Sequence, residues 1–208
     1  MNAGTRRGQV AGPAGTIAVA VDDPPGACKG IALLCHPHPL HGGTLDNKVV
    51  QTLARACVQM GWQAVRFNFR GVGGSGGAWD EGRGEIDDAL AVLAAHRAPG
   101  QRLLLGGFSF GGYVASQAAA RVAAQGAPAE RVVLVGPAVV NFPMAPVPGD
   151  TLVVHGEHDD VVPLAAVLDW ARPQPLPVTV LPGAGHFFHG QLPLLKQIVL
   201  GAFGVAAA

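Results

Sequence analysis

Ser109 stands in Gly107-Phe108-Ser109-Phe110-Gly111, a G-x-S-x-G pattern between the apolar run Leu103 to Phe108 and an alanine-rich stretch. A serine hydroxyl is a poor nucleophile until a neighbouring imidazole takes its proton, and a carboxylate must hold that imidazole in one tautomer. A tight strand-to-helix turn lifts such a hydroxyl clear of the sheet. The glycines two before and two after the serine remove side chains that would collide across the turn. Partners follow later in the chain, as His155-Gly156-Glu157-His158-Asp159-Asp160-Val161-Val162-Pro163 and Gly183-Ala184-Gly185-His186-Phe187. Glu157, Asp159 and Asp160 all lie just past the apolar run Leu152 to His155. His186 lies just past Val178 to Leu181, and its rival His189 falls where a closing helix begins. His155 and His158 read as polar residues at a strand end.

The elements that must position these groups are legible as apolar runs and periodic stretches. Residues 8–21 read as a two-stranded hairpin around Gly12-Pro13. Ile31 to Cys35, Ala64 to Phe69, Leu103 to Phe108, Val132 to Val135, Leu152 to His155 and Val178 to Leu181 read as strands. Continuous apolar runs of this length suit strands buried on both faces. Helical spacing covers Asn47 to Met60, Ile86 to His96, Tyr113 to Ala124, Val161 to Ala171 and Leu192 to Phe203. Alternation of strand and helix from residue 31 predicts an α/β fold. It has a mostly parallel sheet, an antiparallel N-terminal hairpin and helices on both faces, in a single domain over residues 1–208. Ser109, the acidic cluster and His186 then share the carboxyl rim of one sheet, where open α/β sheets place ligands.

At these residues the chain resembles the α/β-hydrolase superfamily over nearly its whole length. Gly156-x-x-Asp159-x-x-Val162-Pro163 is similar to the superfamily's acid motif and Gly185-His186 to its base motif. Phe69-Arg70-Gly71-Val72-Gly73-x-Ser75-x-Gly77 is similar to a loop common in the group. The block Cys35-His36-Pro37-His38-Pro39-Leu40-His41-Gly42-Gly43-Thr44 most resembles a small, lidless bacterial branch related to dienelactone hydrolase. The resemblance implies a serine hydrolase with Ser109 as nucleophile, Asp159 as acid and His186 as base.

Such chemistry needs two preorganised N–H donors for the developing oxyanion. The resemblance points to the N–H of Phe110 and to a donor on the loop after Ile31 to Cys35. Pro37 and Pro39 have no N–H, which leaves His38, with Leu40 the weaker candidate. His36, His38 and His41 also allow a metal reading by their His-x-His spacing. The two prolines restrict how their rings converge, so no metal is expected, and His36 is expected to make a structural hydrogen bond. Gly71 to Gly77 lacks the Lys-Ser/Thr ending of a phosphate loop and implies no nucleotide cofactor. Only Gly136 to Asp150 separates Val135 from Thr151, too short for a cap domain, so a shallow, open pocket is expected. Val139, Val140, Phe142, Met144, Trp79, Phe110 and Phe187-Phe188 could line it or serve the core.

Composition narrows the class. Of 208 residues 49% are hydrophobic and 13% charged, and the net charge is zero, which argues against nucleic-acid binding. Cys28, Cys35 and Cys57 show no C-x-x-C spacing, so neither a disulfide framework nor a thiolate zinc site is expected. No secretory signal or run of ~18 apolar residues is apparent, and a cytoplasmic, membrane-free protein is expected. The reading is a hydrolase of small carboxylic esters or thioesters that forms an acyl-serine, with a homodimer allowed. The alternatives are a peptidase or amidase using the same triad, and a non-catalytic binding protein that keeps the fold.

Overall fold

The computed structural model describes residues 4–204. Eight strands form one sheet in the order β1-β2-β4-β3-β5-β6-β7-β8. They are β1 (Arg6–Gly12), β2 (Gly15–Asp22), β3 (Ile31–Cys35), β4 (Gln63–Phe67), β5 (Leu103–Phe108), β6 (Arg131–Val135), β7 (Leu152–Gly156) and β8 (Val178–Leu181). The β1–β2 and β2–β4 pairs are antiparallel, and every other pair is parallel. The antiparallel N-terminal hairpin and the parallel remainder match the expectation from sequence.

Alternation along each strand sorts the core into two layers. Ile31, Leu33, Cys35, Leu103 and Leu105 face helices α2 (Arg83–His96) and α3 (Phe110–Ala124). Ala32, Leu34, Ala64 and Leu104 face α1 (Lys48–Gln59) and α5 (Leu192–Phe203). A smaller cluster of Val153, Val162 and Val167 lies under α4 (Leu164–Ala171). Helices therefore cover both faces.

The chain leaves β3 for β4 on one side and later returns to place β5 on β3's other side. This is the switch point where loops diverge to opposite faces and open a crevice at the strands' carboxyl ends. The oxyanion-loop candidate follows β3, and Ser109 follows β5.

Segment 136–151 contains no helix and lies down on α3. Gln117 Nε2 donates to the Pro143 carbonyl at 2.7 Å, and Ala145 N–H to Ser116 Oγ at 3.2 Å. These ties hold it as a strap rather than a cap. Three helices begin elsewhere than their patterns indicate. Helix α2 starts at Arg83 because buried Glu85 accepts the N–H groups of Asp80 (3.0 Å) and Gly82 (2.9 Å). Helix α3 starts at Phe110, directly on the serine turn, and α4 only after Pro163.

Candidate active site

Ser109 has φ 56° and ψ −120°, a conformation that costs a non-glycine residue of order 1–3 kcal/mol. The surroundings hold it there. Its N–H donates to the Val135 carbonyl at 2.9 Å, and its carbonyl accepts from Gly112 at 2.9 Å. The flanking glycines are steric necessities. A Cβ on Gly107 would lie 2.0 Å from the Gly111 carbonyl oxygen, and one on Gly111 would lie 2.2 Å from that of Cys35. The turn thus packs backbone against backbone, with no room for a methyl group.

The structure brings the three sequence-predicted residues together. His186 Nε2 lies 3.0 Å from Ser109 Oγ, and His186 Nδ1 lies 2.7 Å from Asp159 Oδ2. All three residues are buried, with Ser109 only 8% exposed. The expected open pocket therefore lacks a cap, yet these three side chains are sunk below the surface. Asp159 Oδ1 accepts from Val161 N–H (3.0 Å) and Val162 N–H (2.7 Å). Burial is the largest influence on this carboxyl and pushes its pKa up. The His186 and Val162 hydrogen bonds and nearby imidazoles outweigh it and hold the pKa below the ordinary value. Of the other acids, Asp160 is exposed, and Glu157 accepts from Gly183 N–H at 2.8 Å, tying the acid loop to the base loop. Gly156 permits the same approach, since a Cβ there would meet the Ala184 carbonyl oxygen at 2.4 Å.

The two proposed oxyanion donors are unengaged. The N–H groups of Phe110 and His38 donate to no acceptor among the described residues, whereas Leu40 N–H is taken by His38 Nδ1 at 3.2 Å. That contact removes the weaker candidate. His36 lies fully buried beneath the loop. Its Nδ1–H donates to the Pro37 carbonyl at 2.6 Å and its Nε2 accepts from Phe69 N–H at 3.1 Å. Burial pushes its pKa down to about 4, so the ring is neutral. His41 and His189 are exposed. Among the described residues no three His, Cys, Asp or Glu side chains gather as they would around a metal ion.

Sequence reasoning missed the setting of His155 and the place of the His38 ring among the lining candidates Trp79, Phe110 and Phe142. His155, expected only as a polar residue at a strand end, is fully buried beside Asp159; its partner, the Val162 carbonyl at 2.9 Å, comes from a turn that no spacing announces. An aromatic wall also unites residues from separate segments. The His38 ring lies 4.5 Å from Trp79, 5.4 Å from Phe110 and 6.0 Å from Phe142. The loop that carries Trp79 is anchored by Arg70, which grips Asp88 through both terminal oxygens, and by Glu85 on Asp80 N–H. On the opposite flank Phe187 packs 5.1 Å from His186 beside a cavity of about 270 Å³, which Thr44, Lys48, His189 and Leu192 also line.

A serine at a strained strand-to-helix turn, beside an imidazole and a carboxylate on an uncapped α/β sheet, defines the class of α/β serine hydrolases. A family model described as serine aminopeptidase, S33 matches residues 38–149. The protein RP471 of Rickettsia prowazekii is 33% identical over 174 residues, covering 76% of this chain and 71% of that protein. XC6422 of Xanthomonas campestris, a serine hydrolase without lid, superposes with a TM-score of 0.87 at 36% identity over 97% of this chain and 94% of its own. An α/β serine hydrolase homologue from Coxiella burnetii gives 0.82 at 36% identity, over 96% and 97%. The chain belongs to this S33-type family of α/β serine hydrolases.

Proposed function

We propose that this chain hydrolyses small carboxylic esters or thioesters through an acyl-serine intermediate. The observation that carries the reading is the unbroken relay from Asp159 Oδ2 to His186 Nδ1 (2.7 Å) and from His186 Nε2 to Ser109 Oγ (3.0 Å). As Ser109 Oγ bonds to the substrate carbonyl carbon, its proton passes to His186 Nε2. Asp159 orients the ring and offsets the positive charge that develops on it. The carbonyl oxygen becomes an oxyanion held by the N–H groups of Phe110 and His38, each worth about 3 kcal/mol of barrier. Collapse expels the alcohol or thiol, which takes the proton from His186. Water, deprotonated by the same ring, then attacks the acyl-serine and frees the acid.

The surroundings support an apolar acyl or alcohol part. Leu40, Val140, Val161 and Phe187 are large apolar side chains that remain about half exposed or more, each within three residues of a group named above or of the turn beside Ser109. Gly136 to Gly149 carries no charged residue. An exposed apolar rim of this kind marks a surface that binds something apolar. A fluorophosphonate probe should label the wild type and not Ser109→Ala, and Asp159→Asn should lose roughly 10³–10⁴ in kcat. Labelling of Ser109→Ala equal to wild type refutes the assignment. The match to a model named for serine aminopeptidases favours a second reading, amide cleavage. Aminoacyl amides run beside short-chain nitrophenyl esters and acyl thioesters distinguish the two by their kcat/KM ratio.

A further inference from the structure

His155 is a buried ionisable group beside the site that the scheme above leaves unused. It is the fourth residue of β7 and shares a sheet face with Val153, which packs with Val162 and Val167 under α4. An apolar side chain would fill such a place without the cost of burying a polar ring. The ring's Nε2 lies 2.9 Å from the Val162 carbonyl, which can only accept, so Nε2 carries the hydrogen. Nδ1 is then bare, and it is buried with no partner.

The same Nε2 lies 3.5 Å from Asp159 Oδ2, the oxygen that receives the His186 Nδ1–H. That oxygen thus sits between two imidazoles. Val162 is held at both ends, its N–H by Asp159 Oδ1 and its carbonyl by His155. The titratable groups that act on His155 are Asp159 and His186. Burial, the largest influence, lowers its pKa and keeps the ring uncharged, so it does not oppose the positive charge His186 must acquire.

We infer that His155 is a positioning residue for the Ser109 site, its Nε2–H shared between the Val162 carbonyl and Asp159 Oδ2 so that the carboxylate stays aimed at His186. The inference rests on the serine-hydrolase reading above. It requires a donor at one point in space rather than bulk alone.

The test compares His155→Leu, which keeps volume and loses the donor, with His155→Gln, whose amide N–H reaches toward the same point. His155→Leu should lower kcat roughly ten- to a hundred-fold, the cost of a misplaced catalytic group, with KM within about two-fold. The acid limb of its kcat/KM profile should move to lower pH, because a loosened carboxylate supports the imidazolium less. His155→Gln should recover to within about three-fold of wild type, and the downfield proton resonance of His186 Nδ1–H should persist in it and shift in His155→Leu. Nitrogen NMR of the wild type should find His155 as the neutral Nε2–H tautomer at pH 7, a readout that survives even if His155→Leu fails to fold. Wild-type kcat and resonance in His155→Leu, a Gln variant as slow as the Leu variant, or an Nδ1–H tautomer each overturn the inference. Fluorophosphonate labelling of wild type but not Ser109→Ala, run alongside, separates those failures from failure of the serine-hydrolase reading itself.

Discussion

Replacing His36 by Phe should make the protein's stability less sensitive to acid. The buried ring is neutral and joins the Pro37 carbonyl to the Phe69 N–H, and burial pushes its pKa from 6.5 down to about 4. A histidine with a depressed native pKa binds more protons when unfolded. Its contribution is therefore intact above the unfolded value of 6.5 and drains away as pH falls toward 4. At about 1.36 kcal/mol per pH unit the full loss is about 3 kcal/mol, most of which falls between pH 7 and pH 4.5.

His36→Phe removes the titrating group but strands two buried backbone partners, costing about 1–3 kcal/mol each at pH 7. That deficit should shrink or reverse by pH 4.5, because only the wild type loses the titration term. The assay is urea unfolding of both proteins at the two pH values, followed by fluorescence of the three tryptophans. Other histidines titrate in both proteins and cancel in the double difference, as distant sites do. If wild type and variant lose stability in parallel, with the gap constant to within about 0.5 kcal/mol, the neutral-ring account of His36 is wrong.

Two further outcomes follow from the same geometry. His38 has φ −53°, which proline can adopt, so His38→Pro should delete the backbone donor and lower kcat by about 10²–10³, while His38→Ala keeps the N–H, loses only the ring's packing and should lose less. Ester turnover by the two variants measures this, and equal rates would remove His38 from the oxyanion hole. Ser109→Gly should be inactive yet more stable by about 1 kcal/mol, since glycine adopts φ 56° freely; a melting temperature below wild type would count against strain at the turn.

Strands β3, β5 and β8 and helix α5 lie where apolar runs and periodicity put them, because each is decided by its own residues. The site residues were legible for a related reason. Each follows its own strand, so chain order alone brings Ser109, Asp159 and His186 to one rim. What escaped was decided by contacts between segments. Gly111-Gly112 look like loop, but α3 runs straight through them, since glycine is what lets the helix start against the Cys35 carbonyl. Val161 and Val162 look helical, but their N–H groups serve the Asp159 carboxylate, which delays α4 to Leu164. His155 gave no signal at all, because its meaning depends on where the turn after Asp159 folds back.

The same distinction bears on the lidless pocket. A short β6–β7 connection does exclude a cap, and from that alone an open site follows. Yet Asp159, His186 and Ser109 are buried, and a relay of this kind gains from water exclusion, since its charges interact more strongly in a low dielectric. Shielding comes instead from side chains on the loops and at the ends of β5 and α3. Phe108 and Phe187 flank the His186 ring at 4.9 and 5.1 Å, while His38, Trp79, Phe110 and Phe142 close the side of the proposed oxyanion donors. Both proposed donors thus belong to residues whose side chains form this wall, and the contacts that exclude water also restrain the backbone of His38 and Phe110. A cap that opens and closes must order its site at each turnover. Here the order is built into the resting fold, and the substrate must fit a crevice that the aromatic rings have already shaped.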